Sequence, residues 1–109
     1  MVSQKNTGQT STIAYVSLLK CRLIERPKST LIVTNSHAVN SIDFEVWISN
    51  DPRGSVLSYA LEKSAATLAP LGSARYPLTG PYAWLDIRIV DSSPGDHGVG
   101  NAWVLGVGV

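Results

Sequence analysis

The stretch SIDFEVWISN, residues 41–50, decides the fold. Ile42, Phe44, Val46 and Ile48 fall on one side of an extended chain, and Asp43, Glu45, Trp47 and Ser49 fall on the other. Strand side chains alternate between two faces, so this pattern marks a half-buried β-strand. The same period runs through residues 82–90, where Ala83, Leu85, Ile87 and Ile89 oppose Tyr82, Trp84, Asp86 and Arg88. In residues 99–109, Val99, Trp103, Leu105, Val107 and Val109 oppose Gly100, Ala102, Val104, Gly106 and Gly108. Ser29–Asn35 is a short β-branched run, and residues 56–63 form a weaker strand that aligns Leu57, Tyr59 and Leu61.

Turn chemistry separates these runs. Asn50 to Gly54 has proline at its third residue and glycine at its end, and Asn35 to Asn40 links two strands. Ala69-Pro70-Leu71-Gly72 and Thr79-Gly80-Pro81 bracket a short piece around Arg75–Leu78, and residues 91–98 form a loop. Thr12–Glu25 fits either a strand or a helix, and we read it as a strand because the rest of the chain is β and no cap pair frames a helix. Its first half is apolar on both faces, with Ile13 and Tyr15 opposite Ala14, Val16 and Leu18. A strand of that kind is covered on both sides. The expected fold is all-β, a single antiparallel β-sandwich of about seven strands, Ig-like or jelly-roll-like. Residues 12–109 form the sandwich, and Met1–Ser11, which is polar, forms an extended N-terminal arm rather than a signal peptide.

With 109 residues, 44% of them hydrophobic, the chain can bury one core without staples. A charged share of 16% is low for a small monomer. The net charge of +1 leaves no footprint for a nucleic-acid partner. No uncharged stretch is long and apolar enough to cross a bilayer, so no membrane partner is expected either. The charge is uneven along the chain: residues 1–40 carry five bases against Glu25 alone, while residues 41–109 carry four bases and seven acids. That asymmetry is either scatter or a steering field between neighbouring subunits. Cys21 is the only cysteine, which excludes an intrachain disulfide and a cysteine-based metal site.

Candidate chemistry is sparse. Ser36 and His37 are sequence neighbours and cannot face each other as nucleophile and base. Cys21 reads as a small core residue. Asp43 and Glu45 point the same way from one strand, a solvated face more often than an acid pair. Asp91, Ser93, Asp96 and His97 offer oxygen ligands for a cation but lack the closing acid of a calcium loop. No cofactor or metal is expected. Trp47 and Trp84 lie on the polar sides of their strands, either in a second inner layer or as an exposed patch for a sugar or protein partner. Gly106 and Gly108 recur on one face of the last strand, at the edge of the sheet or where another backbone comes close.

The strings STLIVTNSHAVNSIDFEVWISNDP (29–52), ATLAPLG (66–72) and GPYAWLDIRIVDSS (80–93) resemble small β-sandwich proteins of tailed-bacteriophage virions. Leu71 departs from the group's pattern by splitting a Pro-Gly pair. The resemblance implies a non-enzymatic capsid decoration or head–tail accessory protein, assembled in the host cytoplasm and carried on the virion. It implies partners of two kinds: further copies of this chain, and a major capsid or other virion protein. No catalytic motif carries over. The expected interface comprises Ala14, Val16, Leu18, Trp47, Trp84, Gly106 and Gly108. The alternatives are a carbohydrate-binding or adhesion module and a subunit of an extracellular filament.

Overall fold

A computed structural model of the chain describes residues 2–22, 28–49, 59–78 and 84–107. Within them lie eight strands: β1 (Val2–Thr10), β2 (Val16–Arg22), β3 (Lys28–Asn35), β4 (Ile42–Ser49), β5 (Ala60–Leu68), β6 (Ser73–Leu78), β7 (Trp84–Asp91) and β8 (Val99–Val107). They form two four-stranded sheets, ordered β1-β8-β3-β6 and β2-β7-β4-β5, and every pairing is antiparallel. The pairs β4–β5, β3–β6, β2–β7 and β1–β8 nest like the rungs of one long hairpin. Wrapping that hairpin on itself adds the pairs β3–β8 and β4–β7. This is the eight-stranded jelly roll.

The alternation of residues 41–50 does what it promised. Ile42, Phe44 and Val46 are buried, with Leu85, Ile87 and Ile89 beside them from β7, while Ile48 packs half-buried against the same core. Leu31 and Val33 of β3 and Ala102 and Val104 of β8 close the core from the other sheet. In β8 the smaller residues face inward and Trp103 and Leu105 face out, only half-buried. The reason is proximity between the sheets: a Cβ on Gly100 would stand 2.7 Å from Ile89 Cδ1 and 3.3 Å from Leu18 Cδ2. Pro77 lies in β6, an edge strand, where a missing donor costs no ladder bond.

Two expectations need correction. The expected arm, Met1–Ser11, is not free over its described residues, because Val2–Thr10 is an edge strand paired with β8 from Val2↔Gly106 to Thr10↔Val99. An edge strand is held by backbone hydrogen bonds and needs no apolar alternation. Its period is also broken by a bulge between Asn6 and Gln9, where Gly8 takes φ = 78° and its N–H donates to Asn101 Oδ1 at 2.8 Å. The second correction concerns residues 12–25. Val16–Arg22 is strand, as expected, while residues 12–15 form the loop before it and residues 23–25 lie outside the described residues, but β2 does not present two apolar faces. A bulge between Ser17 and Leu19 inserts one extra residue opposite β7, and Leu18 and Leu19 both turn into the core at 1% and 8% exposure. The Leu18 carbonyl, out of register with β7, accepts Asn6 Nδ2 at 2.6 Å. The two bulges thus meet across the sheets and seal that edge of the sandwich. The Asn50–Gly54 turn and residues 56–58 lie outside the described residues.

Phe44→Ala is expected to lower stability by about 3–5 kcal/mol in chemical denaturation, the range for emptying a tightly packed aromatic site. Removing residues 1–11 should unseat the sandwich, with a lower melting temperature and a loosened β8. A truncated chain as stable as the full one would return the segment to the status of an arm.

Candidate functional site

A buried polar network gathers at one end of the sandwich, where β1, β3, β5 and β7 finish and β2, β4, β6 and β8 begin. Ser11 follows directly on β1 and is completely buried. Its hydroxyl donates to Asp91 Oδ1 at 2.5 Å and accepts the Gly98 N–H at 2.8 Å. Asp91 closes β7 with its side chain buried, and it takes His97 Nδ1 on Oδ2 at 2.9 Å and the Gly95 N–H at 3.3 Å. Burial pushes the Asp91 carboxyl up, but bonds from Ser11 and His97, the charge of His97 and the Gly95 amide outweigh it and hold the group below its ordinary value. A side chain at Gly98 has no room, because its Cβ would collide with Ile42 and crowd the Asn40 carbonyl.

Asn35 ties the other half of this end. It is 1% exposed, and its Nδ2 donates to the Asn40 carbonyl at 2.7 Å and, at longer range, to the Leu68 and Ala69 carbonyls at 3.3 and 3.4 Å. Its Oδ1 accepts the His37 N–H at 3.0 Å and the Val99 N–H at 3.4 Å. Asn40 Nδ2 reaches the His97 carbonyl at 2.9 Å and joins the two networks.

Hydrogen bonds also engage Ser11, Ser36 and His37. The Ser11 hydroxyl donates to the Asp91 carboxylate, which also holds His97, so the imidazole is bonded to the carboxylate and not to the hydroxyl. His37 Nδ1 accepts the Val39 and Asn40 N–H groups at 3.0 and 2.9 Å, and Ser36 Oγ accepts Asn101 Nδ2 at 3.1 Å. Cys21 is buried. Of the four oxygen and nitrogen donors expected in the 91–98 loop, Asp91 is turned inward and Ser93, Asp96 and His97 remain outside. Among the described residues, no three His, Cys, Asp or Glu side chains are grouped to hold a metal. A polar depression of about 180 Å³ lies over this end, lined by Val39, Asn40, Ser41, Ser92, Ser93 and Asp96.

Above this polar plate the loops carry apolar tips. Ile13 in the β1–β2 loop, Val39 in the β3–β4 loop and Leu71 in the β5–β6 turn are 71%, 74% and 72% exposed. Leu71 is held at φ = 61°, the left-handed position where a turn after proline favours glycine. The Gly72 N–H bonds back to the Ala69 carbonyl at 2.8 Å, and the Leu71 N–H reaches the His37 carbonyl at 3.2 Å, so the turn is fastened to its neighbour. Only the odd leucine in the turn hints at this arrangement in the sequence.

The expected interface residues are dispersed. Ala14 is exposed beside Ile13, Val16 packs half-buried against the core, and Leu18 is inside it. Leu18 is therefore unavailable to a neighbour, for the reason the bulge supplies. Gly106 pairs with Val2 on one side and Ser29 on the other, and Gly108 lies outside the described residues. Trp47 and Trp84 are half-buried on the outer side of the β2-β7-β4-β5 sheet. The Arg88 guanidinium stacks over the Trp47 ring at 4.4 Å, its Nε pairs with Asp86 at 2.9 Å, and the Trp47 indole N–H donates to Glu45 at 3.2 Å. Ser17 Oγ completes the cluster with a 2.6 Å bond to Asp86.

No family model matches the chain, and no curated protein matches it in sequence. Solved structures match it in fold. A structure of the Bacillus endospore appendages, described as a family of disulfide-linked pili, superposes with a TM-score of 0.58 at 12% identity, over 94% of this chain and 84% of that one. PirA superposes with a TM-score of 0.64 at 6% identity, over 94% and 93%. The infectious bursal disease virus VP2 subviral particle gives 0.51 at 12% identity, over 96% of this chain but 32% of that one. At such identities the likeness is one of fold. The described strands form an eight-stranded jelly roll.

A carboxyl held below its unfolded value contributes stability above about pH 4 and loses it as pH falls through the depressed folded value. Asp91→Asn is expected to lower stability at neutral pH by about 1–3 kcal/mol, because it replaces one of the two acceptor oxygens of a buried network with a donor. It should also flatten the acid limb of the stability profile measured by urea denaturation from neutral pH downward. Parallel profiles for the two proteins would remove Asp91 from the account of this end.

Proposed function

We propose that this chain is a non-enzymatic structural protein that works as a multimer, and that its place is a virion, as a capsid decoration or minor capsid protein. The observation that carries this reading is the set of exposed apolar loop tips, Ile13, Val39 and Leu71, at the hydrogen-bonded end of the sandwich. A large exposed aliphatic residue held in a left-handed turn is costly both in hydration and in backbone conformation, and contact with a partner removes the first of these costs. The partner in this reading is a major capsid or other virion protein at the loop end, with further copies of the chain alongside. The jelly roll is common in viral capsid domains, which fits this place.

A second reading, a subunit of an extracellular filament, is favoured by the pilus match, which spans nearly the whole of both chains. A disulfide link between subunits has no support here, since the single Cys21 is buried. The sugar-platform reading has less support, because Arg88 already covers the Trp47 ring and Glu45 holds its N–H.

Gold-labelled antibody on native material, viewed by electron microscopy, separates the readings. Label on particles is the expected result, and label on filaments would favour the second reading. Free monomer with no label on either would sink both. Ile13→Ser, Val39→Ser and Leu71→Asn together should leave the fold intact by circular dichroism and empty the particles of this protein.

A further inference from the structure

The uneven charge of the sequence takes a definite form in the sandwich. The strands of the β1-β8-β3-β6 sheet contain Lys5, Lys28 and Arg75 and no Asp or Glu. All five strand acids, Asp43, Glu45, Glu62, Asp86 and Asp91, lie in the other sheet. On the outer face of the first sheet the register sets Lys5, Trp103, Ile32 and Arg75 side by side in one row across all four strands, with Leu105 next along β8. Lys5 and Arg75 are exposed, and neither makes an ion pair among the described residues. The row is therefore apolar in the middle and positive at both edges.

The outer face of the second sheet answers it. Asp43 and Glu45 project outward from β4 beside Trp47, with Leu61 across from Trp47 on β5 at 44% exposure. Their hydrogen bonds come from the Thr67 hydroxyl at 2.7 Å and the Trp47 indole at 3.2 Å, and no cation pairs with either among the described residues. The nearest candidate, Arg88, is committed to Asp86 and to the Trp47 ring. Lys20 and Arg22 stand on the far edge strand β2, so this face is acidic on β4 and basic on β2, which fixes the direction in which a basic partner can lie.

We infer that the outer face of the β1-β8-β3-β6 sheet docks on the outer face of the β2-β7-β4-β5 sheet of a second copy of this chain, with Lys5 and Arg75 set toward Asp43 and Glu45. This rests on the multimeric reading above and names the surfaces it uses. Four strands of about eight residues present roughly 500 Å² per face, so a pair buries about 1,000 Å², the lower end of specific interfaces. One contact is weak, and repetition strengthens it. The two surfaces differ, so the contact is head-to-tail and leaves a free face at each end for the next copy.

The test uses the full chain in sedimentation velocity at low and high salt. Two variants reverse the charges, Lys5→Glu with Arg75→Glu, and Asp43→Lys with Glu45→Lys. Their folds are checked by circular dichroism, and Arg75→Gln and Glu45→Gln replace a variant that does not fold. The wild-type chain is expected to self-associate, less strongly as salt rises. Each double reversal should weaken association more than about tenfold. Mixed together, the two variants should associate again, because every contact between unlike copies then sets an acidic face against a basic one. Wild-type association unchanged in both variants would overturn this inference while leaving self-assembly standing. A wild type that stays monomeric throughout would overturn self-assembly itself. Binding of poly-aspartate to a monomeric wild type, lost in Lys5→Glu with Arg75→Glu, would give the basic face to an acidic partner and overturn the pairing of copies.

Discussion

A two-sheet sandwich is open at both ends, and at one of them this chain must bring eight strand termini together without stranding their backbone groups in an apolar interior. Asn35 is the side chain on which that end depends. Its amide donates toward carbonyls of the β3–β4 and β5–β6 connections, and its oxygen accepts from His37 and from the first residue of β8. No other residue type of that size offers both two donors and an acceptor. An aspartate has no N–H to give, and a leucine of similar volume would leave several backbone groups dry. The Ser11–Asp91–His97 set performs the same duty for β1, β7 and the β7–β8 loop. These buried side chains tie the loops to the strand ends, and the apolar tips are displayed beyond them.

The sheets themselves were legible where an interior strand alternates without interruption. Residues 42–48 and 85–89 show a period of two because each has one face on the core and one outside. The reading failed where a strand has a bulge or lies at an edge. Leu18 and Leu19 occupy opposite faces of a regular strand, and only the extra residue opposite β7 turns both inward, a register effect with no composition of its own. Val2–Thr10 is polar because the backbone of β8 suffices to hold it. The direction of β8 was likewise hidden. Its large residues make the more obvious core face, yet the sheets approach too closely there for anything bigger than glycine, alanine and valine.

The candidate site was legible in its parts and not in its assembly. Asp91 and His97 were visible as loop residues with ligand chemistry, but nothing near them in sequence announced Ser11, 80 positions away, as the partner that occupies Asp91. The charge imbalance between the two parts of the chain was visible too. Its spatial meaning required the sheet order, which puts β1 and β3 in one layer and β2 and β4 in the other. The tryptophans divide similarly, Trp103 on one outer face and Trp47 and Trp84 on the other.

The nested pairing has a consequence for how the molecule comes into being. Closing the rungs from the hairpin at β4–β5 outward means each successive pair joins residues farther apart in sequence, until Val2 meets Gly106. Contacts of such long range make folding slow. They also delay it during synthesis, because β8 lies between β1 and β3 and is the sole partner of β1 among the described strands. Until β8 emerges from the ribosome, β1 has no neighbour and β3 has one bare side. A nascent chain in that state displays open strand edges to every other copy being made nearby. The kinetic hazard is therefore set by topology, and it grows with the number of copies made at once.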